Sequence, residues 1–188
     1  MKRSAGFDSS RDSPSQLPAE SPVTVVGIGA SAGGLAALTE LFRHVPPHTG
    51  LAYVIVQHLS PTHESILAEL IGRRAAIPIH QAANGMRVEM DCAYVIPPDT
   101  KMTLADGHLT VVPRDPAARP PRPIDAFLRS LAEVHGSRTI GVILSGTGSD
   151  GALGVRAIKG AGGFTFVQDP ESASSDGMPL AAIATDCV

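Results

Sequence analysis

The chain has 188 residues, enough for one domain with a single well-buried core. Hydrophobic residues make up 43% and aromatics 4%, with no Trp, which suits a buried parallel sheet and speaks against a base- or sugar-stacking surface. Lys and Arg number 15 against 18 Asp and Glu, a formal charge of −3, so no cationic excess exists to neutralise nucleic-acid phosphates.

Residues 1–22 are rich in Ser, Pro, Asp and Arg and lack apolar periodicity, which predicts a disordered leader. Lys2 and Arg3 are followed by no apolar run, so the start does not read as a signal peptide. Apolar stretches elsewhere are of strand length, so no direct membrane insertion is expected. Cys92 and Cys187 lie far apart and form no CxxC pair. They fit thiols in a reducing compartment, and a cytoplasmic location is expected.

From residue 23 strands and helices alternate. Val23–Ile28 is a short β-branched run, and Leu35–Phe42 has helical spacing, closed by Pro46 and Pro47. Leu51–Val56 is a second buried strand; a turn at Pro61 and a helix over Glu64–Arg74 follow. Ile77–Gln81 and Tyr94–Ile96 read as strands. Met102–Ala105 and His108–Val112 form a hairpin about Asp106-Gly107. Pro113–Pro123 is a long Pro- and Arg-rich loop, of a length that suggests a functional surface. Helix Ile124–His135, strand Thr139–Leu144, helix Ala152–Ala161, strand Phe164–Gln168 and a short helix Leu180–Ala184 complete the chain. The alternation predicts an α/β fold, a doubly wound and mostly parallel sheet flanked by helices, with one small antiparallel hairpin. Ligand sites of such sheets lie beyond the carboxyl ends of the strands, so the chemistry belongs to residues just after them.

The first strand runs into Gly27-Ile-Gly-Ala-Ser-Ala-Gly-Gly34, where Gly29-Ala30-Ser31-Ala32-Gly33 fits the G-x-S-x-G nucleophile elbow. Small flanking residues let the chain reverse, and the following helix N-terminus aims free N–H groups, Ala32's among them, at a developing oxyanion. The same stretch fits a dinucleotide fingerprint through Gly27, Gly29 and Ala32, and from this turn alone the two readings are even. A nicotinamide site wants an Asp or Glu at the end of the next strand. That strand ends in Gln57-His58, which favours the hydrolase and makes His58 the candidate general base. His44, His48, His80, His108 and His135 fall at helix ends, in turns or in weaker strands. A metal cluster of His58, His63 and Glu64 would need a helix that Pro61 interrupts, so no metal is expected. Strand Thr139–Leu144 leads to Ser145-Gly-Thr-Gly-Ser-Asp-Gly151, whose Asp150 is the candidate to orient the imidazole. The plainer reading of Asp150 is a cap for the helix beginning near Ala152. The rival carboxylate, Asp125, reads as the start of its own helix.

With these motifs the sequence resembles the catalytic domain of chemotaxis protein-glutamate methylesterases, the CheB family. The segments that carry the resemblance are GIGASAGG at 27–34, VQHLSP at 56–61 and GVILSGTGSDGALG at 141–154. YVIPPDTKM at 94–102, RPIDAFLRSLA at 122–132 and DGMPLAA at 176–182 support it. The resemblance implies a serine hydrolase, with catalytic domain 23–188, that removes γ-glutamyl methyl esters and in many members deamidates glutamines. Its partners would be methylated cytoplasmic helices of chemoreceptors or a related signalling protein. It places the nucleophile on Ser31, the base on His58 and the aspartate on Asp150, and associates the segment at Thr147 with the oxyanion site; the family usually has Thr where this chain has Ala32, and Met where it has Thr147. No metal or organic cofactor is implied. The absence of an upstream receiver domain and the end at Val188 suggest a domain truncated from a longer protein, such as a fusion with methyltransferase and sensor domains. The alternative is a non-catalytic docking domain of the same fold. Arg114, Arg119 and Arg122 are candidates to steer an acidic receptor helix, set against the plainer reading of solvated loop charges.

Overall fold

The computed structural model describes residues 23–58, 66–115 and 122–188. The expected leader and the Pro61 turn lie outside them. Strand β1 (Thr24–Ala30) holds the centre of the sheet and pairs in parallel with β2 (Leu51–Gln57) on one side and β7 (Thr139–Ile143) on the other. Beyond β2 lie β4 (Ala93–Val95) and β3 (Ile79–Gln81); beyond β7 lies β8 (Phe164–Val167). Among the described residues the order is β3-β4-β2-β1-β7-β8, all parallel. The chain winds outward from β1 through β2 and returns to its other side with β7. The switch point of the topology therefore falls at the carboxyl end of β1.

Both faces are covered, which is why β1 and β2 read as continuous apolar runs rather than alternating ones. Helices α1 (Gly34–His44) and α2 (Leu67–Gly72) close one face around Ile28, Leu38, Phe42, Ile55 and Ile71. Helices α3 (Pro123–His135), α4 (Ala152–Gly160) and α5 (Gly177–Ile183) take the other face. The hairpin β5 (Thr100–Ala105) and β6 (His108–Pro113) packs there as a separate two-stranded sheet. Its turn residues have φ of 49° at Asp106 and 74° at Gly107, as the Asp-Gly pair predicts. Helix α3 lies unusually close on β1. A Cβ on Gly27 would sit 2.6 Å from Leu128 Cδ2, and one on Gly29 2.4 Å from Ile124 Cγ2. That contact brings the first turn of α3 to the carboxyl edge of the sheet.

Several boundaries differ from the sequence reading. The described part of α2 ends at Gly72, short of the expected Arg74, because Gly72 and the turn after it break the ladder. Strand β3 begins at Ile79 rather than Ile77, since Pro78 donates no hydrogen bond. Helix α5 starts at Gly177, three residues before the expected Leu180, its first turn carrying a proline that suits a helix start.

Candidate active site

Ser31 follows the last residue of β1, and the Gly34 N–H donates to its carbonyl at 2.9 Å to close the turn into α1. Gly33 makes this reversal with φ of 76°, and a side chain there would meet Ser174 Cβ at 2.6 Å and Ser145 Oγ at 2.7 Å. Only glycine meets both demands. Parallel register pairs Ala30 with Gln57, so Ser31 and His58 are the residues that follow the ends of two adjacent strands. The Ser31 hydroxyl and the His58 ring are not in hydrogen-bond contact, a looseness common before substrate binds. The Gln57 side chain donates to the Ser31 carbonyl at 3.4 Å.

His58 Nε2 lies 2.7 Å from Asp150 Oδ2. The aspartate is 7% exposed and the imidazole 34%, so the carboxylate is held inside while the ring reaches the surface. Asp150 does not cap α4, as its sequence position suggests. Its carboxylate accepts from the Ile124 N–H at 3.0 Å and the Asp125 N–H at 2.9 Å, capping α3 from across the molecule. Pro123, at the first helical position, has no N–H to satisfy, so these are the first free donors of α3. The positive end of that helix thus faces the carboxylate that faces His58. The α4 cap is Asp125 instead: its Oδ1 accepts from Gly151 and Gly154 N–H, both at 2.9 Å. Asp125 does begin α3, but its buried side chain works on the neighbouring helix.

Ser145 is a structural residue that the sequence reading missed. Its carbonyl accepts from the Ser31 N–H at 3.0 Å and its hydroxyl donates to the Ala32 carbonyl at 2.8 Å. The same hydroxyl accepts from the Ser175 N–H at 3.0 Å. Ser145 therefore ties the Ser31 turn to the segment leading into α5. Its one sequence signal is its place directly after β7. The N–H groups of Ser31 and Gly146 are committed to Ser145 and Ser175 carbonyls. Among the described residues, the N–H groups of Ala32 and Thr147 have no backbone acceptor, and both residues are exposed.

A groove of about 760 Å³ opens between α1 and α2, with Ser31 and Gln57 at one end and Thr39, Arg73 and Arg74 along it. His58 lines a separate niche of about 60 Å³ with Pro97 and Arg114. Two of the three loop arginines are paired rather than free. Arg114 pairs with Asp99 at 2.8 Å and Arg122 with Asp125 at 3.1 Å, while Arg119 lies outside the described residues. His63 and Glu64 also lie outside them. Among the described residues no helix is long and apolar enough to cross a membrane.

Comparison with known proteins agrees with this architecture. Residues 26–188 match the sequence profile of CheB methylesterase. A Burkholderia orbicola protein-glutamate methylesterase/protein-glutamine glutaminase is 36% identical over 91% of this chain and 51% of its own length. A Photorhabdus laumondii protein of the same description is 35% identical over 91% of this chain and 50% of its own length. An uncharacterized 104.1 kDa protein of Rhodobacter capsulatus is 45% identical over 63% of this chain and 12% of its own length. The chain thus spans about half the length of the named methylesterases it matches. The crystal structure of the Thermotoga maritima CheB methylesterase catalytic domain superposes with a TM-score of 0.79 at 28% identity, covering 89% of this chain and 91% of that one. With the profile matched over residues 26–188 and the fold shared, the chain belongs to the CheB methylesterase family.

Proposed function

We propose that this domain is a protein-glutamate methylesterase in which Ser31 is the nucleophile, His58 the general base and Asp150 the residue that orients the base. The observation that carries the reading is the 2.7 Å contact between His58 Nε2 and Asp150 Oδ2, one strand away from Ser31. Asp150 holds the ring proton on Nε2, which leaves the Nδ1 lone pair for the Ser31 hydroxyl. Ser31 Oγ attacks the ester carbonyl as its proton passes to Nδ1. The tetrahedral oxyanion is met by the N–H groups of Ala32 and Thr147. The C–O bond to the methoxy group then breaks, His58 returns the proton and methanol leaves. Water, deprotonated by the same nitrogen, releases glutamate and restores Ser31. A glutamine substrate would follow the same path with ammonia leaving, as the names of the relatives suggest.

The groove beside Ser31 is open along one side and suits an exposed segment of a folded protein better than an enclosed small molecule. Methylated chemoreceptor helices, or a related signalling protein, are the substrates that family membership supports. The Rhodobacter relative, much longer than the match within it, supports a domain that also serves inside multidomain chains. The test is methanol release from a methylated receptor fragment. Wild type should release it and Ser31→Ala should not; equal release by both would refute the assignment. Labelling of Ser31 by a fluorophosphonate probe separates this reading from a docking domain, which would not react.

A further inference from the structure

Residue 125 grips residue 150 from two sides. Its amide N–H donates to Asp150 Oδ1 at 2.9 Å, and its own carboxylate accepts from the N–H of Gly151, the peptide unit that follows Asp150. The same Oδ1 also accepts from Gly154 N–H, and Oδ2 faces Arg122 Nη1 at 3.1 Å. Arg122 in turn reaches Ser149 Oγ at 3.5 Å, on the other side of Asp150 in sequence. Asp125 is 4% exposed, so a charged group has been placed in the interior beside a second buried carboxylate. Such burial is costly unless the group is fully paired. Accepting the α4 N–H groups does not by itself require a charge, because a neutral side-chain oxygen caps a helix as well. What the arrangement adds is fixed geometry: each aspartate caps the helix that carries or follows the other, so neither the Asp150 carboxylate nor its backbone can turn independently.

We infer that Asp125 is a positioning residue for the reaction proposed above, fixing Asp150 and through it the ring of His58. The inference rests on the Ser31–His58–Asp150 reading. Asp125 does not touch the substrate; it acts by holding the acceptor of the Nε2 proton in place. Its Oδ1 carries both bonds to the α4 N–H groups, so an asparagine amide oxygen can keep them while the charge is lost. Asp125→Ala removes the grip, and Asp125→Asn separates grip from charge.

The experiment measures kcat and KM for methanol release, with the downfield Nε2–H proton resonance of His58, for wild type, D125A and D125N. D125A should lower kcat by about 10–100-fold with KM unchanged, the size expected when a reacting group is slightly misplaced. It should also broaden or abolish the Nε2–H resonance, which a cap serving stability alone would leave in place. D125N should restore most of both. Where D125A does not fold, Asp125→Ser takes its place with the same expectation, since a hydroxyl is too short to span the Gly151 and Gly154 donors. A folded D125A with wild-type kcat and resonance, or a D125N as impaired as D125A, overturns the inference. If Ser31→Ala retains methanol release, the underlying triad reading fails and the inference with it. If Ser31 is essential and D125A is neutral, only the inference falls.

Discussion

Asp150 holds His58 by Nε2, at 2.7 Å, which leaves Nδ1 as the ring nitrogen outside that contact. In the common Ser-His-Asp arrangement the aspartate takes Nδ1 and the serine meets Nε2. The mechanism proposed above uses the ring the other way round, and the sheet favours that use. Ser31 and His58 stand on neighbouring strands in register, and Asp150 comes from the far side of β1 with α3 behind it.

The first prediction concerns this ring. With Asp150 intact, the neutral imidazole should carry its proton on Nε2, readable from ¹⁵N shifts of the His58 side chain. Asp150→Asn can present its NH₂ group to Nε2 and drive the proton to Nδ1, where it blocks proton transfer from Ser31. We expect kcat to fall on the order of 10³–10⁴-fold, as for a triad left in the wrong tautomer. A loss below about three-fold would mean that Asp150 does not orient the base, since orientation alone is worth far more.

The second prediction concerns Gly146. A Cβ there would lie 2.2 Å from Met178 Sδ and 2.9 Å from Ser31 Cβ. Met178 is 1% exposed, so the thioether must rearrange within the core to make room. Gly146→Ala should therefore destabilise by about 1–3 kcal/mol and displace Ser31, lowering kcat more than it raises KM. Met178→Ala should cost stability alone, yet in combination with G146A the losses should be less than additive. Strict additivity of Tm and kcat would show that the three residues are not packed as a unit.

Which parts of this site could be read from the sequence follows from the range of the forces involved. The ends of β1, β2 and β7 stand out because buried strands are uninterrupted apolar runs; glycine-rich turns after β1 and β7 and the Gln57-His58 end of β2 isolate Ser31, Asp150 and His58. The hairpin turn at Asp106-Gly107 is equally local. The partners of the two aspartates are not. A cap chosen by sequence neighbourhood assigns Asp150 to α4 and Asp125 to α3, whereas the folded chain exchanges them. That exchange depends on how closely α3 packs on Gly27 and Gly29, a tertiary distance no local pattern encodes. Ser145 was invisible for the same reason: its three partners lie far from it in sequence.

The third prediction addresses the groove. Arg73 is engaged with Glu69 at 2.7 Å, while the exposed Arg74 lines the groove that runs from Ser31. A substrate segment bearing several glutamyl carboxylates would meet Arg74 at the rim. Arg74→Glu should raise KM roughly five-fold, about 1 kcal/mol, with kcat preserved. The wild-type advantage should shrink as salt is raised, since exposed charges are screened. An unchanged KM at low salt would place the substrate elsewhere.

The last prediction is a pH dependence at the opposite end of the sheet. His135, the last residue of α3, has both ring nitrogens buried without a partner among the described residues. Burial, and secondarily the Arg138 charge, lowers its pKa from the ordinary 6.5. The cavity it lines, about 420 Å³, is also lined by Arg87, His108, Arg138 and Asp106. With the folded pKa depressed, the unfolded chain binds more protons below pH 6.5. The contribution of a neutral His135 is therefore fully present above that value and is lost as pH falls toward the folded pKa. The ring is only half-buried, so solvent screens part of the effect, and the loss should stay below about 1 kcal/mol, or about 2–4 °C in Tm. His135→Phe keeps the ring's bulk and removes the unsatisfied nitrogens, so Tm at pH 7.5 should hold or rise. Its decline between pH 7 and 5 should also be shallower than that of wild type. An equal decline in both proteins would assign the acid sensitivity to other groups.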